Sequence, residues 1–516
     1  MSETPASPPP EKPEKPEKDA VTRGDVARGA GLAGLSRAGA LIEALSQPLY
    51  VWLFGLATYG LYAAMWSAVN LIENFIDLSM TTALQRIVPT RDGEAAVHGA
   101  VKIAMLVALA PAVLIALAVS LNAGWIASFL SAAPKDRAHL PAAVALFAWA
   151  LPLWTFIEVA TSAARARRAF GPEIRIRIFW EQIARIVFAT GFFFLGFHSI
   201  GLMIGHLCSL AFTAALCVPL LRRYYDLGQL ARAPVTGTLF RETLLTGLGL
   251  LPSAFARRVL IDAPTVALNL MLPGVRGADA AGLFDIARKL STVTFLVRQA
   301  FQYVLAPLAS AQAHADRARL GPIYHFSSRV STALVVPLGG LLAFGGVDIL
   351  SVYRPEAMAA LPLLYILVAG RAIEAIVGPA SVIVEMTGHR LLPLINSLIA
   401  FVLWGALAWL LVPTHGGTGM AIAVAVATIA STYAATIELQ VSDGLNPFGR
   451  RLVGGLAIAV AGVACMWAAT QVTHGPVRFA LVLALWAITS RFALRHGLTR
   501  DDRLALGGVS RVLRLI

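Results

Sequence analysis

The sequence predicts an all-α integral membrane protein of fourteen transmembrane helices, and three observations carry that prediction. Hydrophobic residues make up 57% of the 516 and charged residues only 14%, with a mean hydropathy of +0.71; a soluble domain carries about 25% charged residues. The apolar residues gather in runs that meet the length of about 20 residues needed to cross a hydrocarbon core. Of the 34 cations outside those runs, 29 fall on alternate connections and the two tails. A soluble enzyme is excluded. The formal net charge of +13 reads as cationic cytoplasmic loops, and no nucleic-acid partner is expected.

Residues 1–27 hold Pro8-Pro9-Pro10 and Glu-Lys-Pro repeats up to Lys18. They cannot bury enough apolar surface to offset their ordering entropy, so a disordered cytoplasmic tail is expected there. No short apolar core with a small-residue cleavage site follows, which argues against a signal peptide. Apolar runs then fall at about 30–55, 60–81, 100–123, 139–163, 178–197, 200–221, 243–271, 281–307, 329–350, 357–385, 391–413, 418–438, 452–471 and 477–495. They divide the chain into a six-helix lobe over 28–223, a cytoplasmic linker over 224–240, and a second six-helix lobe over 241–440. Helices thirteen and fourteen occupy 450–495, and 496–516 form an amphipathic tail whose leucines and valines alternate with arginines, as in a helix lying on a membrane surface.

With both termini inside, the cytoplasmic segments hold 29 of the 42 Lys and Arg, the outer loops 5 and the interiors of spans 8. That asymmetry fixes the orientation. Arg165, Arg167, Arg168, Arg222 and Arg223 read as topology anchors within it. Cys208, Cys217 and Cys465 lie in apolar runs without paired spacing and read as small buried hydrophobes. Trp52, Tyr59 and Tyr62 fit an interfacial aromatic belt.

Self-similarity appears at an offset near 220 residues. Tyr59-Gly60-Leu61-Tyr62 opens one span and Ala281-Gly282-Leu283-Phe284 another, 222 residues later, and Pro89 and Pro307 close them. Gly171 and Gly201 flank the fifth span as Gly388 and Gly419 flank the eleventh. These matches point to two parallel six-helix repeats around a central cavity, because an even number of crossings gives both halves one orientation. The last two helices are additions.

Ionisable groups at membrane depth cost about 2.5–3.5 kcal/mol each on insertion scales and therefore face a cavity or a partner. Eight cations lie there: Arg37, Arg185, Arg257, Arg258, Arg288, Lys289, Arg298 and Arg371. Asn70, Glu73, Asn74 and Asp77 step along one face of the second span. Arg177, Glu181 and Arg185 step by four, and Arg258–Asp262, Asp285–Lys289 and Arg371–Glu374 are within pairing reach. Structural ion pairing accounts for such spacings as well as a binding role does. His206 reads as a helix–helix contact.

The runs Leu35-Ser36-Arg37, Tyr59-Gly60-Leu61-Tyr62, Ala83-Leu84-Gln85 to Val88-Pro89, Ala281-Gly282-Leu283-Phe284, Ala287-Arg288-Lys289-Leu290, Ala306-Pro307, Gly378-Pro379 and Gly416-Gly417-Thr418-Gly419 together resemble one family. It is the polysaccharide-exporter branch of the multidrug/oligosaccharidyl-lipid/polysaccharide (MOP) superfamily. The likeness runs from about residue 30 to 440. It implies a flippase that moves a polyprenyl-diphosphate-linked oligosaccharide across the bacterial inner membrane by alternating access, beside a polysaccharide polymerase and glycosyltransferases. In the family resembled, spans one, seven and eight line the chamber, which assigns Arg37, Arg258, Arg288 and Arg298 to the diphosphate. Arginine forks match phosphate oxygens in bidentate fashion. Glu73 and Asp77 are the candidates for a coupling ion or proton.

Lipid II flippases are similar at Ser36-Arg37 but usually continue with a second arginine and an aspartate, where this chain has Ile42-Glu43. They and cation-coupled multidrug extruders are the alternatives. Nucleotide, metal and nucleophile motifs are lacking and no connection is large enough for a catalytic domain, so a transporter without cofactor is expected and a membrane glycan polymerase or ligase is not.

Overall fold

The computed structural model describes residues 42–43, 45–295, 320–386, 391–506 and 510. The N-terminal tail, Arg37, Arg298, Pro307 and Gly388 lie outside the described residues. Within them every regular element is helical.

The first half runs α1 (45–54), α2 (Leu56–Ile76), α3 (Met80–Ile87), α4 (Glu94–Leu121), α5 (Leu140–Phe147), α6 (Ala150–Ala166), α7 (Glu181–Phe194) and α8 (Gly201–Tyr224). Breaks fall where the backbone demands them. Gly55 (φ 88) separates α1 from α2, and Leu78 and Ser79, both left-handed, separate α2 from α3. A seven-residue π-helical stretch, Ile174–Trp180, leads into α7. The four-residue step expected of Arg177, Glu181 and Arg185 therefore holds for Glu181 and Arg185, which pair on α7, and fails only between Arg177 and Glu181, since a π turn carries an extra residue. Arg177 turns instead to Glu158 at 2.6 Å and Glu173 at 3.0 Å.

The second half runs α9 (Gly237–Met271), α10 (Val275–Ser291), α11 (Leu320–Phe344), α12 (Leu361–Ile376), α13 (Ala380–Met386) and α14 (Leu392–Asp443). α9 contains Pro252 and Pro264 and bends by 50° between Gly237–Ala256 and Arg258–Met271. The tenth expected span is not continuous, because Gly378 (φ 65) and Pro379 interrupt it between α12 and α13. α14 is 52 residues long with non-helical backbone at Gly416 (φ 56). A straight helix of that length would put Asn396 and Glu438 about 60 Å apart at 1.5 Å per residue, yet Asn396 Nδ2 donates to Glu438 Oε2 at 2.7 Å. Trp404 Nε1 likewise reaches Met420 Sδ at 3.3 Å. The chain therefore doubles back at Gly416, and α14 is a helical hairpin whose limbs match the eleventh and twelfth expected spans.

α15 (Arg450–Val472) and α16 (Gly475–Gly497) pack on each other and on α11, outside the preceding helices. The short α17 (Arg500–Ala505) follows, closed by a Thr499–Asp502 capping box and tied to α11 through Arg329–Asp502 at 2.8 Å.

Among the described residues eight helices, or nine counting bent α9, are long and apolar enough to cross a membrane. The chain is a multi-pass membrane protein. α2, at 21 residues, is long enough but too polar to be among them. Its compensation is burial: it packs against both α9 and α10, and Tyr59 and Tyr62 are fully enclosed. The interfacial belt expected of those tyrosines is thus corrected, since their hydroxyls find partners inside. Trp52 stays half exposed. Of the cysteines, Cys217 is buried and Cys465 exposed, the latter on the outward side of α15.

Candidate functional site

The site is built where α2 meets α10. Gly60 and Gly282 face each other so closely that a Cβ on Gly60 would overlap the Ala278 carbonyl and come within 2.7 Å of the Gly282 nitrogen. No other residue permits this approach of two backbones. Around it, beyond the N-terminal end of α2, hydrogen bonds join residues 52–131 to residues 269–354. Trp52 Nε1 donates to the Val352 carbonyl at 2.8 Å and Arg354 Nη2 to the Trp52 carbonyl at 2.5 Å. Ser131 and Asn269 exchange bonds of 3.0 and 2.9 Å.

Inward from this seam lies an ion cluster. Tyr59 donates to Asp285 Oδ2 at 2.7 Å. Asp285 also receives Arg288 at 2.5 Å and Lys289 at 3.2 Å. Lys289 reaches across to Glu43 of the first half at 2.9 Å. Two cations and two carboxylates thus neutralise one another in an environment where either charge alone would be costly. On α9, Arg258 pairs with Asp262 at 2.6 Å, and Arg371 pairs with Glu374 at 2.9 Å while its guanidinium lies 4.2 Å over Phe295.

A second buried group belongs to the first half alone. Arg185 pairs with Glu181 and lies 3.4 Å from the Tyr62 hydroxyl, which meets His206 Nδ1 at 3.0 Å. Trp66 and Phe147 pack against the imidazole, so His206 is the helix–helix contact that its isolation indicated.

Further along α2 the polar stripe occupies the face its spacing defined, and Glu73 and Asp77 are both buried. Asp77 Oδ2 accepts from Thr81 Oγ1 at 3.0 Å. Its Oδ1, Asn70 Oδ1 and Asn74 Oδ1 are enclosed without a hydrogen-bond partner among the described residues. Buried acceptors left so are rare in folded proteins and mark a place where a ligand, an ion or water is wanted.

Of the six residues singled out from sequence, Arg288 therefore lies in the cluster between the halves, Arg258 in its own pair on α9, and Glu73 and Asp77 on the unsatisfied face of α2. Arg37 and Arg298 fall outside the described residues. Tyr59, Glu43 and Lys289 were not assigned to the site from sequence, although they complete the Asp285 cluster. The matching Tyr59-Gly60-Leu61-Tyr62 and Ala281-Gly282-Leu283-Phe284 runs, whose glycines meet, were the available signal for it.

This fold is shared with solved structures of MOP-superfamily transporters. The chain superposes on the lipid II flippase MurJ in an inward closed conformation with a TM-score of 0.71 at 11% identity, covering 90% of this chain and 97% of that one. It matches the MATE multidrug transporter DinF-BH at TM-score 0.61 and 16% identity, over 83% and 97% of the two chains. An inward-facing multidrug resistance MATE transporter of the MOP superfamily gives 0.58 and 14%, over 86% and 96%. No family model matches the sequence, and no curated protein is found similar to it.

Proposed function

We propose that this protein is a flippase that carries a polyprenyl-diphosphate-linked oligosaccharide across the bacterial inner membrane for polysaccharide assembly (O-chain, capsule or exopolysaccharide). It would use fourteen spans, two parallel six-helix repeats and cytoplasmic termini. One observation carries the reading: Arg288 and Lys289 stand side by side, enclosed where the halves meet, and their counter-charges come from both halves. A diphosphate is a concentrated anion, and arginine and lysine held by exchangeable carboxylates offer it a site without a net buried charge beforehand. Arg258, with Arg37 and Arg298 in the same role, would extend that site toward the glycan. The contact of Gly60 with Gly282 supports a two-fold axis along the membrane normal passing near them, and rocking about it would open each side in turn.

Glu73 and Asp77, with the unsatisfied oxygens beside them, are the place for a coupling ion or proton, which would supply the driving energy. Vesicles in which Glu73→Gln with Asp77→Asn leaves transport still driven by an ion gradient would remove that assignment. A polymerase and glycosyltransferases would supply and consume the cargo.

A second reading is favoured by the near-complete overlap with a lipid II flippase, since lipid II presents the same diphosphate with a different glycan. The pool of lipid-linked saccharides after depletion of this protein separates the two. Accumulation of a completed polyprenyl-diphosphate repeat inside the inner membrane is the expected result. Accumulation of lipid II in its place selects the second reading, and accumulation of neither removes both in favour of drug extrusion.

A further inference from the structure

Away from the seam, the first half carries a recess of about 880 Å³ on the face that the charge distribution assigns to the cytoplasm. It opens between the start of α4 and the end of α8, over the end of α6. Glu94, Arg167, Arg222, Arg223 and Asp226 supply its charges. Its acids are already engaged. Glu94 takes both arms of Arg167, and Asp226 Oδ1 accepts from the Gly228 and Gln229 nitrogens at 2.8 and 3.1 Å. The wall is fixed as well: buried His98 accepts the Asp226 N–H at 3.2 Å, Tyr225 donates to the Ala163 carbonyl at 2.8 Å, and Arg167 lies 5.1 Å over the Tyr225 ring.

Arg222 and Arg223 are different. Both are exposed, both line the recess, and neither is in an ion pair among the described residues. One turn before Arg222 on α8 stands Val218, and ten residues before it Phe212, both exposed. At 1.5 Å per residue this outward apolar side runs about 15 Å into the membrane from the two guanidinium groups.

A cationic recess at the end of an outward-facing apolar surface is matched by a molecule with a phosphate at one end and hydrocarbon at the other. We propose that the recess binds an anionic glycerophospholipid of the surrounding membrane. Arg222 and Arg223 hold the phosphate in bidentate fashion, and the acyl chains lie along Val218 and Phe212. The two arginines then do more than set topology: they fasten the rim of the first half to a particular lipid.

The test uses the full chain in detergent, titrated with phosphatidylglycerol or phosphatidylcholine and read by native mass spectrometry. The expected result is about tenfold preferential retention of phosphatidylglycerol, a difference near 1.4 kcal/mol. That preference should vanish in Arg222→Gln with Arg223→Gln and survive in Arg450→Gln with Arg451→Gln, an exposed pair at the start of α15. Because neutralising two anchors could disturb insertion, Arg222→Lys with Arg223→Lys keeps both charges and should still lose several-fold through the missing fork. Equal retention in all variants overturns the proposal, as does equal loss in the Arg450/Arg451 variant, which would reduce the effect to charge alone. Displacement of the lipid by glycerol 3-phosphate at the concentration that saturates with lipid would make the ligand a soluble phosphate and overturn the lipid assignment.

Discussion

Toward its N-terminal end α2 presents Thr58, Tyr59 and Tyr62 to partners that satisfy each of them: Asp136 at 2.8 Å, Asp285 at 2.7 Å and His206 at 3.0 Å. Toward its other end the same helix presents Asn70, Asn74 and Asp77, each with an enclosed oxygen that no described residue meets. The first arrangement belongs to a joint that is closed, with backbones in contact and charges cancelled. The second belongs to a surface awaiting something. One helix thus carries a finished interface and an unfinished one, about four turns apart, and in a protein proposed to open alternately these are the two conditions that must exchange.

The sharpest way to break the comparison is at Asp285. Replacing it with Asn leaves Arg288 and Lys289 enclosed with Glu43 as the remaining carboxylate, and removing one member of a buried pair costs about 3–5 kcal/mol. A marked fall in the melting temperature of the purified protein is expected; an unchanged one would mean that the cluster contributes nothing to closure. Gly60→Ala comes next, at about 1–3 kcal/mol for overpacking, read by the same melt. Gly191→Ala, where a Cβ meets no atom within 4 Å, should be neutral or mildly stabilising by up to about 1 kcal/mol as helix propensity dictates.

At the unfinished end the expectation reverses. Asn70→Leu removes an acceptor that has no partner, so stability should move by less than about 1 kcal/mol, while flux through reconstituted vesicles should fall about tenfold or more if the stripe serves transport. A large loss of stability with flux intact would show that the stripe is structural glue. The smallest effect belongs to Arg91–Glu242, an ion pair joining the halves with Glu242 half exposed. Arg91→Gln should cost less than about 1 kcal/mol and lose even that at high salt.

Much of this was legible in the sequence. Hydropathy located the long apolar helices, eight or nine of them among the described residues, and Gly416-Gly417-Thr418-Gly419 separated two limbs whose helical turns run on almost without interruption through the bend. Local spacing also found Arg258–Asp262, Asp285–Lys289 and Arg371–Glu374, since residues three or four apart on a helix share a face whatever surrounds them. It failed in two situations. Along Ile174–Trp180 the period itself changes, so Arg177 faces Glu158 rather than Glu181. And where the partner lies far along the chain, as Glu43 does from Lys289 or Tyr59 from Asp285, a periodicity tells which way a residue points but not what it meets. Tyr59 and Tyr62 were misread for that reason: aromatic residues with a polar tip suit a membrane interface and a buried hydrogen bond equally well.

The left-handed break between α2 and α3 has a mechanical consequence. Among the described residues the non-glycine positions at positive φ are Leu78, Ser79 and Arg168, all in the first half and near its inner rim. A side chain there costs about 1–2 kcal/mol per residue, so these turns hold backbone strain. Ser79→Gly is expected to relax the turn and raise the melting temperature of the purified protein, because glycine meets no Cβ penalty at positive φ. The strain is then carried at the one place where α2, with its unsatisfied oxygens, hands over to α3.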